Sequence, residues 1–286
     1  MGDAVLMFGM GATKAGTSWL YRYLAGHPDC HLRSVKELHY FDTLDFGNRA
    51  GRAKALRSRH AELAGRRGGD GATRAARMAD LAALADLVES GNDDAYLAYL
   101  NAGRKQERLV GDMTPAYALL SEGRLRQMAG MAAQVRFIYL MRDPVERLWS
   151  HVRMIARRRS PSARDIAGLA GALLGRVLSG AEDHIAARGD YRAVLGRIDR
   201  ALDPRQVFLA FSEDLFSGAV LDKLCAFLGI GARSADLTRA AHVGVPVEMN
   251  AVQRAEAAAW LKPQYDFVAA RMGRLPAAWE ANTVGV

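Results

Sequence analysis

Short, unbroken apolar runs alternate along the chain with longer stretches whose apolar positions recur every three or four residues. AVLMFG at 4–9, VRFIYLM at 135–141 and RQVFLAF at 205–211 have strand length and carry few polar positions, the pattern of strands covered on both faces. RLVGDMTPAYALL at 108–120 predicts a short strand, a loop and a helix beginning near Pro115, a good first-turn residue. Helical spacing runs through TSWLYRYLAG (17–26), ARMADLAALADLVES (76–90), DDAYLAYLNAG (93–103), the segment after Pro144, RDIAGLAGALLGRVLSGAEDHIAAR (164–188), YRAVLGRIDRAL (191–202) and SGAVLDKLCAFLGIG (217–231). Strands that alternate with helices predict an α/β fold: a central parallel sheet with helices on both faces, in one domain over 1–286. HLRSVKELHYFD at 31–42 mixes polar and aromatic residues and reads as a short strand, a turn and a loop, a place for side chains that face a ligand. The glycine- and arginine-rich stretch from Asn48 to Gly71 reads as an irregular excursion, the first part of an insertion at about 48–105.

Composition narrows the function classes. Half of the 286 residues are hydrophobic, enough for a substantial core. No apolar run approaches a membrane span, and no leader pattern is legible, so a cytoplasmic location is expected. Cys30 and Cys225 lie too far apart in sequence to suggest a disulfide framework or a zinc motif, and read as buried or inert thiols. A net charge of +8 points to an anionic partner. The arginines after Asn48 lack interleaved aromatics that would stack bases, so they read as a solvated surface and no nucleic-acid partner is expected.

The chemistry concentrates in three stretches. GATKAGTSWL, 11–20, keeps Gly11 and Gly16 at the spacing of a Walker loop, but Thr17 stands where the lysine belongs and Lys14 lies inside the turn. A strand that feeds a glycine turn onto a helix N-terminus aims N–H groups and the positive dipole end at an anion, which makes the domain P-loop-like. Without the Walker lysine a magnesium-bound triphosphate fits poorly, whereas Lys14 suits one 5′-phosphate and the oxygen bridging it to a transferred group. RDPVERLWS, 142–150, puts Arg142 at a strand end and Ser150 one to two turns into the next helix, both within reach of one phosphate. The alternative, a Walker B strand with Asp143 holding magnesium, competes with Asp143 as N-cap and Pro144 in the first turn. KELHYFD, 36–42, brings Glu37, His39 and Asp42 together as candidate proton acceptors. The bland alternatives are Glu37 as a surface partner of Lys36 and His39 as a core histidine.

At these residues the chain resembles the sulfotransferases that use 3′-phosphoadenosine-5′-phosphosulfate (PAPS). Thr13 to Leu20 matches their T-K-[AS]-G-T-[ST]-x-[LW] loop, and Arg142 to Ser150 matches their R-[DN]-P-x-x-R-x-x-S motif. KELHYFD is similar to the K-E-x-H-x-F-D block of the heparan-sulfate, Golgi-type branch and of many bacterial relatives. The resemblance implies donor binding by Thr13, Lys14, Ala15, Gly16, Thr17, Ser18, Trp19, Arg142 and Ser150, and catalysis by Glu37 as base with Lys14 and His39. It implies release of adenosine 3′,5′-bisphosphate without a metal, and transfer to a hydroxyl or amine of a carbohydrate or other polar hydroxylated small molecule. Lys36 and Asp42 line the acceptor side in that reading, and Tyr40 and Phe41 are expected to raise the pKa of Glu37 by partial desolvation. GDMTPAYALL resembles the family's G-E-K-[ST]-P-x-Y segment, with Asp112 for glutamate and Met113 for lysine, and leaves Thr114 and Tyr117 to line the site. Tyr96 and Tyr99 are expected in the core. RGDYRAVLGRI and the stretch from Val207 to Ile230 resemble later landmarks, where Glu213 and Asp214 brace the sheet; AHVGVPVEMN, 241–250, lacks the family's basic glycine-containing loop. Two other readings are a P-loop kinase of a small alcohol or nucleoside, which needs triphosphate and magnesium, and a non-catalytic binder of anionic polymers.

Overall fold

The structure, a computed structural model, describes all residues except 1–3, 67, 69, 161–164, 216, 236–246 and 284–286. Five strands, β1 (Val5–Gly9), β2 (Cys30–Leu32), β3 (Leu109–Met113), β4 (Val135–Met141) and β5 (Val207–Phe211), form one sheet in the order β2-β3-β1-β4-β5. Every pairing is parallel, and helices cover both faces, as the alternation predicts. β1 and β3 are buried along their whole length, which explains their apolar runs. β1 leads to β2 on one side of the sheet and its neighbour β4 leads to β5 on the other, so the chain leaves these two adjacent strands in opposite directions. A crevice opens at their carboxyl ends, where open α/β sheets bind ligands.

In chain order the helices are α1 (Thr17–Ala25), α2 (Tyr40–Asp45), α3 (Arg49–Ala64), α4 (Gly71–Ser90), α5 (Asp93–Asn101), α6 (Glu122–Ala129), α7 (Pro144–Arg159), α8 (Ile166–Leu178), α9 (Asp183–Ala187), α10 (Tyr191–Ala201), α11 (Gly218–Leu228), α12 (Ala251–Met272) and α13 (Ala277–Glu280). Three segments differ from the sequence pattern. The excursion from Asn48 is largely helix α3: its Ala, Arg, Lys, Leu and Glu residues outweigh Gly51, and Ala53 and Leu56 are buried where it packs on α4. The expected helix at Pro115 is one 3-10 turn, Pro115–Leu119. The segment 164–188 is broken into α8 and α9, with Gly180 at φ 77° between them.

A cluster of aromatic rings underlies the site: Phe8 stacks on Phe137 (5.4 Å) and meets Phe41 and Tyr117 edge-on, while Tyr40 stacks on Tyr96 (4.7 Å). Tyr96 and Tyr99 are both buried, as expected, and both cysteines are free and buried. Among the described residues no helix is long and apolar enough to cross a membrane.

Candidate active site

Beyond Gly9 the chain keeps pairing with β4. Met10 and Ala12 donate to the carbonyls of Ile138 (2.9 Å) and Leu140 (2.6 Å), and Leu140 donates to that of Gly11 (2.8 Å). The backbone then turns through Lys14 at φ 72° and Gly16 at φ 85°, a conformation that suits a residue without a Cβ at Gly16. Gly16 is the N-cap of α1, and no side chain caps that end. The N–H groups at the start of the helix, around Thr17 and Ser18, therefore face the turn without intrahelical acceptors. The hydroxyl of Thr13 is buried and lacks a partner. Ala15 and Thr17 are buried, Ser18 is half-buried, and Trp19 is buried in a stack with Tyr23 at 5.7 Å. Lys14's ammonium is pushed down from its ordinary value, first by burial and then by Arg142, Arg153 and Arg158, with Glu37 pulling the other way. Cations crowded beside a bare helix N-terminus make a site for an anion with several acceptor oxygens.

The loop after β2 brings the proton chemistry. Glu37 (φ 63°) and His39 (φ 55°) have left-handed backbone and, with Lys14, are the non-glycine residues of positive φ among those described. Such backbone costs about 1–3 kcal/mol per residue and persists only where its surroundings impose it. Here Arg52 of α3 donates to the carbonyls of Glu37 (2.8 Å) and Leu38 (3.1 Å), and the Thr43 hydroxyl donates to that of His39. The His39 N–H reaches Thr114 Oγ1 (3.4 Å), and the Tyr40 N–H donates to the Tyr117 hydroxyl (3.1 Å). Thr114 and Tyr117 in turn donate to Asp112 at 2.7 and 2.6 Å, and Tyr96 adds a third hydroxyl at 3.1 Å. Thr114 and Tyr117 are fully buried, so they brace this loop from behind and do not line an open acceptor space. Met113 is buried too, its sulfur filling the space beside Gly9.

On the open side of that loop Lys36 Nζ lies 2.5 Å from Glu37 Oε1, His39 Nε2 is 3.6 Å from Glu37 Oε2, and His39 Nδ1 is 2.7 Å from Asp42 Oδ2. Burial pushes the Glu37 carboxyl up, but His39 and Lys36 together outweigh it and hold it at about 2. The expectation of a raised value is therefore corrected. Tyr40 and Phe41 point into the core, the Glu37 side chain is 41% exposed, and the cations beside it dominate. Both structural alternatives for this pair hold in part: Lys36 does pair with Glu37, and His39 is tied to neighbours, but both do so on the open face.

The third stretch ends β4. Arg142 sends Nη1 to the carbonyl of Lys14 (3.3 Å), joining the first and third stretches directly, and its Nη2 lies 3.9 Å from Glu146. Ser150 follows, half-buried, on α7. Asp143 is the N-cap of α7 and accepts from the Glu146 N–H (2.9 Å), the Tyr265 hydroxyl (3.0 Å) and the Asn282 amide (3.1 Å), so it serves the helix start. Glu213 braces the sheet end as expected: its Oε1 accepts the Asp143 N–H at 2.9 Å. Residues 241–246 of AHVGVPVEMN lie outside the described residues; Val247 accepts hydrogen bonds from Trp149 (2.8 Å) and Arg153 (3.3 Å).

Sequence reasoning missed Arg52, Arg153, Tyr265 and Asn282. Arg52 lies in the stretch read as solvated surface, and the tail carrying Tyr265 and Asn282 offered no motif. The hub role of Asp112 was hidden because its three partners, Tyr96, Thr114 and Tyr117, come from separate segments.

Comparison with known proteins bears on the fold and the family. Among solved structures, a sulfotransferase from Alicyclobacillus acidocaldarius superposes with a TM-score of 0.65 at 23% identity, covering 98% of this chain and 100% of that one. The sulfotransferase domain from the curacin biosynthetic pathway gives 0.51 at 18% identity, with 93% and 98% covered. These likenesses establish a shared fold. No curated protein sequence matches significantly. The family model described as "Sulfotransferase family" matches residues 7–231, a span that contains all three stretches above, and the chain belongs to that family.

Proposed function

We propose that the protein transfers a sulfuryl group from PAPS to a hydroxyl or amine of a carbohydrate or other polar hydroxylated acceptor. The observation that carries this reading is the meeting of Arg142 with the Lys14 turn at the uncapped N-terminus of α1, where Arg142 Nη1 touches the Lys14 carbonyl. The residues fit the donor. Thr13, Lys14 and the N–H groups at Gly16, Thr17 and Ser18 would hold the 5′-phosphosulfate, and Arg142 with Ser150 the 3′-phosphate. When bound, the donor supplies an activated sulfuryl group on a phosphate leaving group.

Lys14 then stabilises charge that develops on the bridging oxygen, in a place already short of counter-charge. Glu37 accepts the proton of the attacking group. Its low pKa makes it a weak base at the start of the reaction, so it takes the proton late, once bond formation has acidified the acceptor. His39 and Asp42 hold Glu37 in register, and Lys36 screens it. The K-E-x-H-x-F-D likeness supports a carboxylate base and a place near the heparan-sulfate-type branch.

The test is a thermal shift with adenosine 3′,5′-bisphosphate against ATP with magnesium, followed by turnover of labelled donor on pooled acceptors. Stabilisation by the bisphosphate alone is expected, and Glu37→Ala and Lys14→Ala should each lower turnover about a hundredfold or more. Stabilisation by ATP with magnesium alone would turn the reading to a kinase. Near-normal turnover in Glu37→Ala would remove it from the base role.

A further inference from the structure

We propose that Tyr191 is a positioning residue that fixes Arg142 for recognition of the donor's 3′-phosphate. The proposal rests on the reading of Arg142 given above and adds a residue on a different element. Arg142 follows the last residue of β4, where the sheet ladder stops providing partners for its N–H and C=O. A single phenol takes both. The Tyr191 hydroxyl donates to the Arg142 carbonyl at 2.6 Å and accepts from the Arg142 N–H at 3.0 Å. With the next N–H held by Glu213 and the Met141 carbonyl held by the Ser212 N–H (2.6 Å), the strand end is fixed on every polar atom around the arginine.

Tyr191 is itself immobilised. Its ring is fully buried, stacked on Trp279 (6.3 Å, 16°) and edge-on to Tyr139 (6.2 Å, 85°). It begins α10, whose N-cap Asp190 accepts from the Ala193 N–H (3.0 Å) and from Gln264 (3.1 Å). Gly189, one residue before the cap, lies against the guanidinium of buried Arg147, where any Cβ would collide. The segment 189–191 is thus docked at one distance from β4. What remains free at residue 142 is the side chain, one third exposed, with Nη1 directed at the donor turn. With the backbone already held, only the arginine's rotamers are left to order when a ligand binds, and the backbone part of the ordering cost is removed.

Dissociation constants for adenosine 3′,5′-bisphosphate and adenosine 5′-monophosphate, measured on the wild type, Tyr191→Phe, Arg142→Ala and the double variant, test this. Tyr191→Phe removes one oxygen and keeps the ring packing. It is expected to weaken the bisphosphate about tenfold, of the order of one good hydrogen bond, to leave the monophosphate unchanged, and to add nothing once Arg142 is alanine. Gly189→Ala, which pushes the docked segment off Arg147, should give the same selective loss, and it serves if Tyr191→Phe does not fold. Equal weakening of both ligands, or full additivity with Arg142→Ala, would make Tyr191 merely structural and overturn the proposal. If the wild type shows no preference for the bisphosphate, or keeps it in Arg142→Ala, the reading of Arg142 fails first and takes this one with it.

Discussion

His39 stands between two carboxylates, 2.7 Å from Asp42 and 3.6 Å from Glu37, and that position decides how the base loop answers pH. Burial pushes the imidazole down, but Asp42 and Glu37 outweigh it and lift the pKa to about 9 from an ordinary 6.5. Its contribution to the folded loop is complete below about 6.5 and disappears as pH rises through about 9. Glu37, lowered from 4.5 to about 2, contributes fully above about 4.5 and loses its contribution as pH falls towards 2. At neutral pH the loop therefore holds an imidazolium between two carboxylates. The catalytic efficiency should be level from about pH 5 to 8 and decline above about 9, without an acid limb at an ordinary carboxylate value. His39→Asn should let Glu37 move back up and bring such a limb into view. A wild-type limb near pH 4.5 would show that His39 does not hold Glu37.

Among the elements, the end of β3 carries more of the site than its own side chains suggest. Asp112 is buried, its carboxyl pushed up by burial and eased down by the hydroxyls of Thr114, Tyr117 and Tyr96. The Thr114 and Tyr117 hydroxyls also accept the N–H groups of His39 and Tyr40, so the left-handed loop is anchored through them to the sheet. Tyr117→Phe takes from Asp112 one of its three hydroxyls and leaves the Tyr40 N–H without its acceptor. It should destabilise the protein by about 1–3 kcal/mol in denaturant unfolding and lower turnover more than donor affinity. Unchanged turnover would mean that the loop keeps its shape without this anchor. The sequence pattern carried the parts that are local: the apolar runs became the strands, Gly16 began α1, and Asp143-Pro144 began α7. It missed what depends on partners distant in the chain. Arg52 is one arginine among many until Glu37 and Leu38 present their carbonyls, and Tyr117 looks like a site residue until Asp112 turns its hydroxyl inward. The helicity of α3 is hard to see in the sequence because glycines punctuate a stretch whose alanine, arginine and leucine residues carry the propensity.

Taken as a whole the molecule carries a net charge of +8, and part of it is concentrated where it costs stability. Lys14 is half-buried within the fields of Arg142, Arg153 and Arg158, burial first and these charges next push its ammonium down, and the α1 terminus adds the positive end of a helix dipole. A free protein built this way is destabilised at its own site, and an anion bound there relieves the repulsion. Stability and ligand binding should then move in opposite directions on removal of the charge. Lys14→Met keeps the length of the side chain, removes a desolvated cation and should raise the melting temperature of the free protein by about 2 °C. It should at the same time abolish most of the stabilisation by adenosine 3′,5′-bisphosphate, which for the wild type amounts to about 2.7 kcal/mol at a hundredfold excess over the dissociation constant. Salt provides the control. Screening weakens repulsion among partly exposed charges, so the advantage of Lys14→Met in the free state should shrink from low to high ionic strength. A variant less stable than wild type at low salt would mean that Lys14 is held by favourable contacts, and that the turn is not charged in readiness for a phosphate.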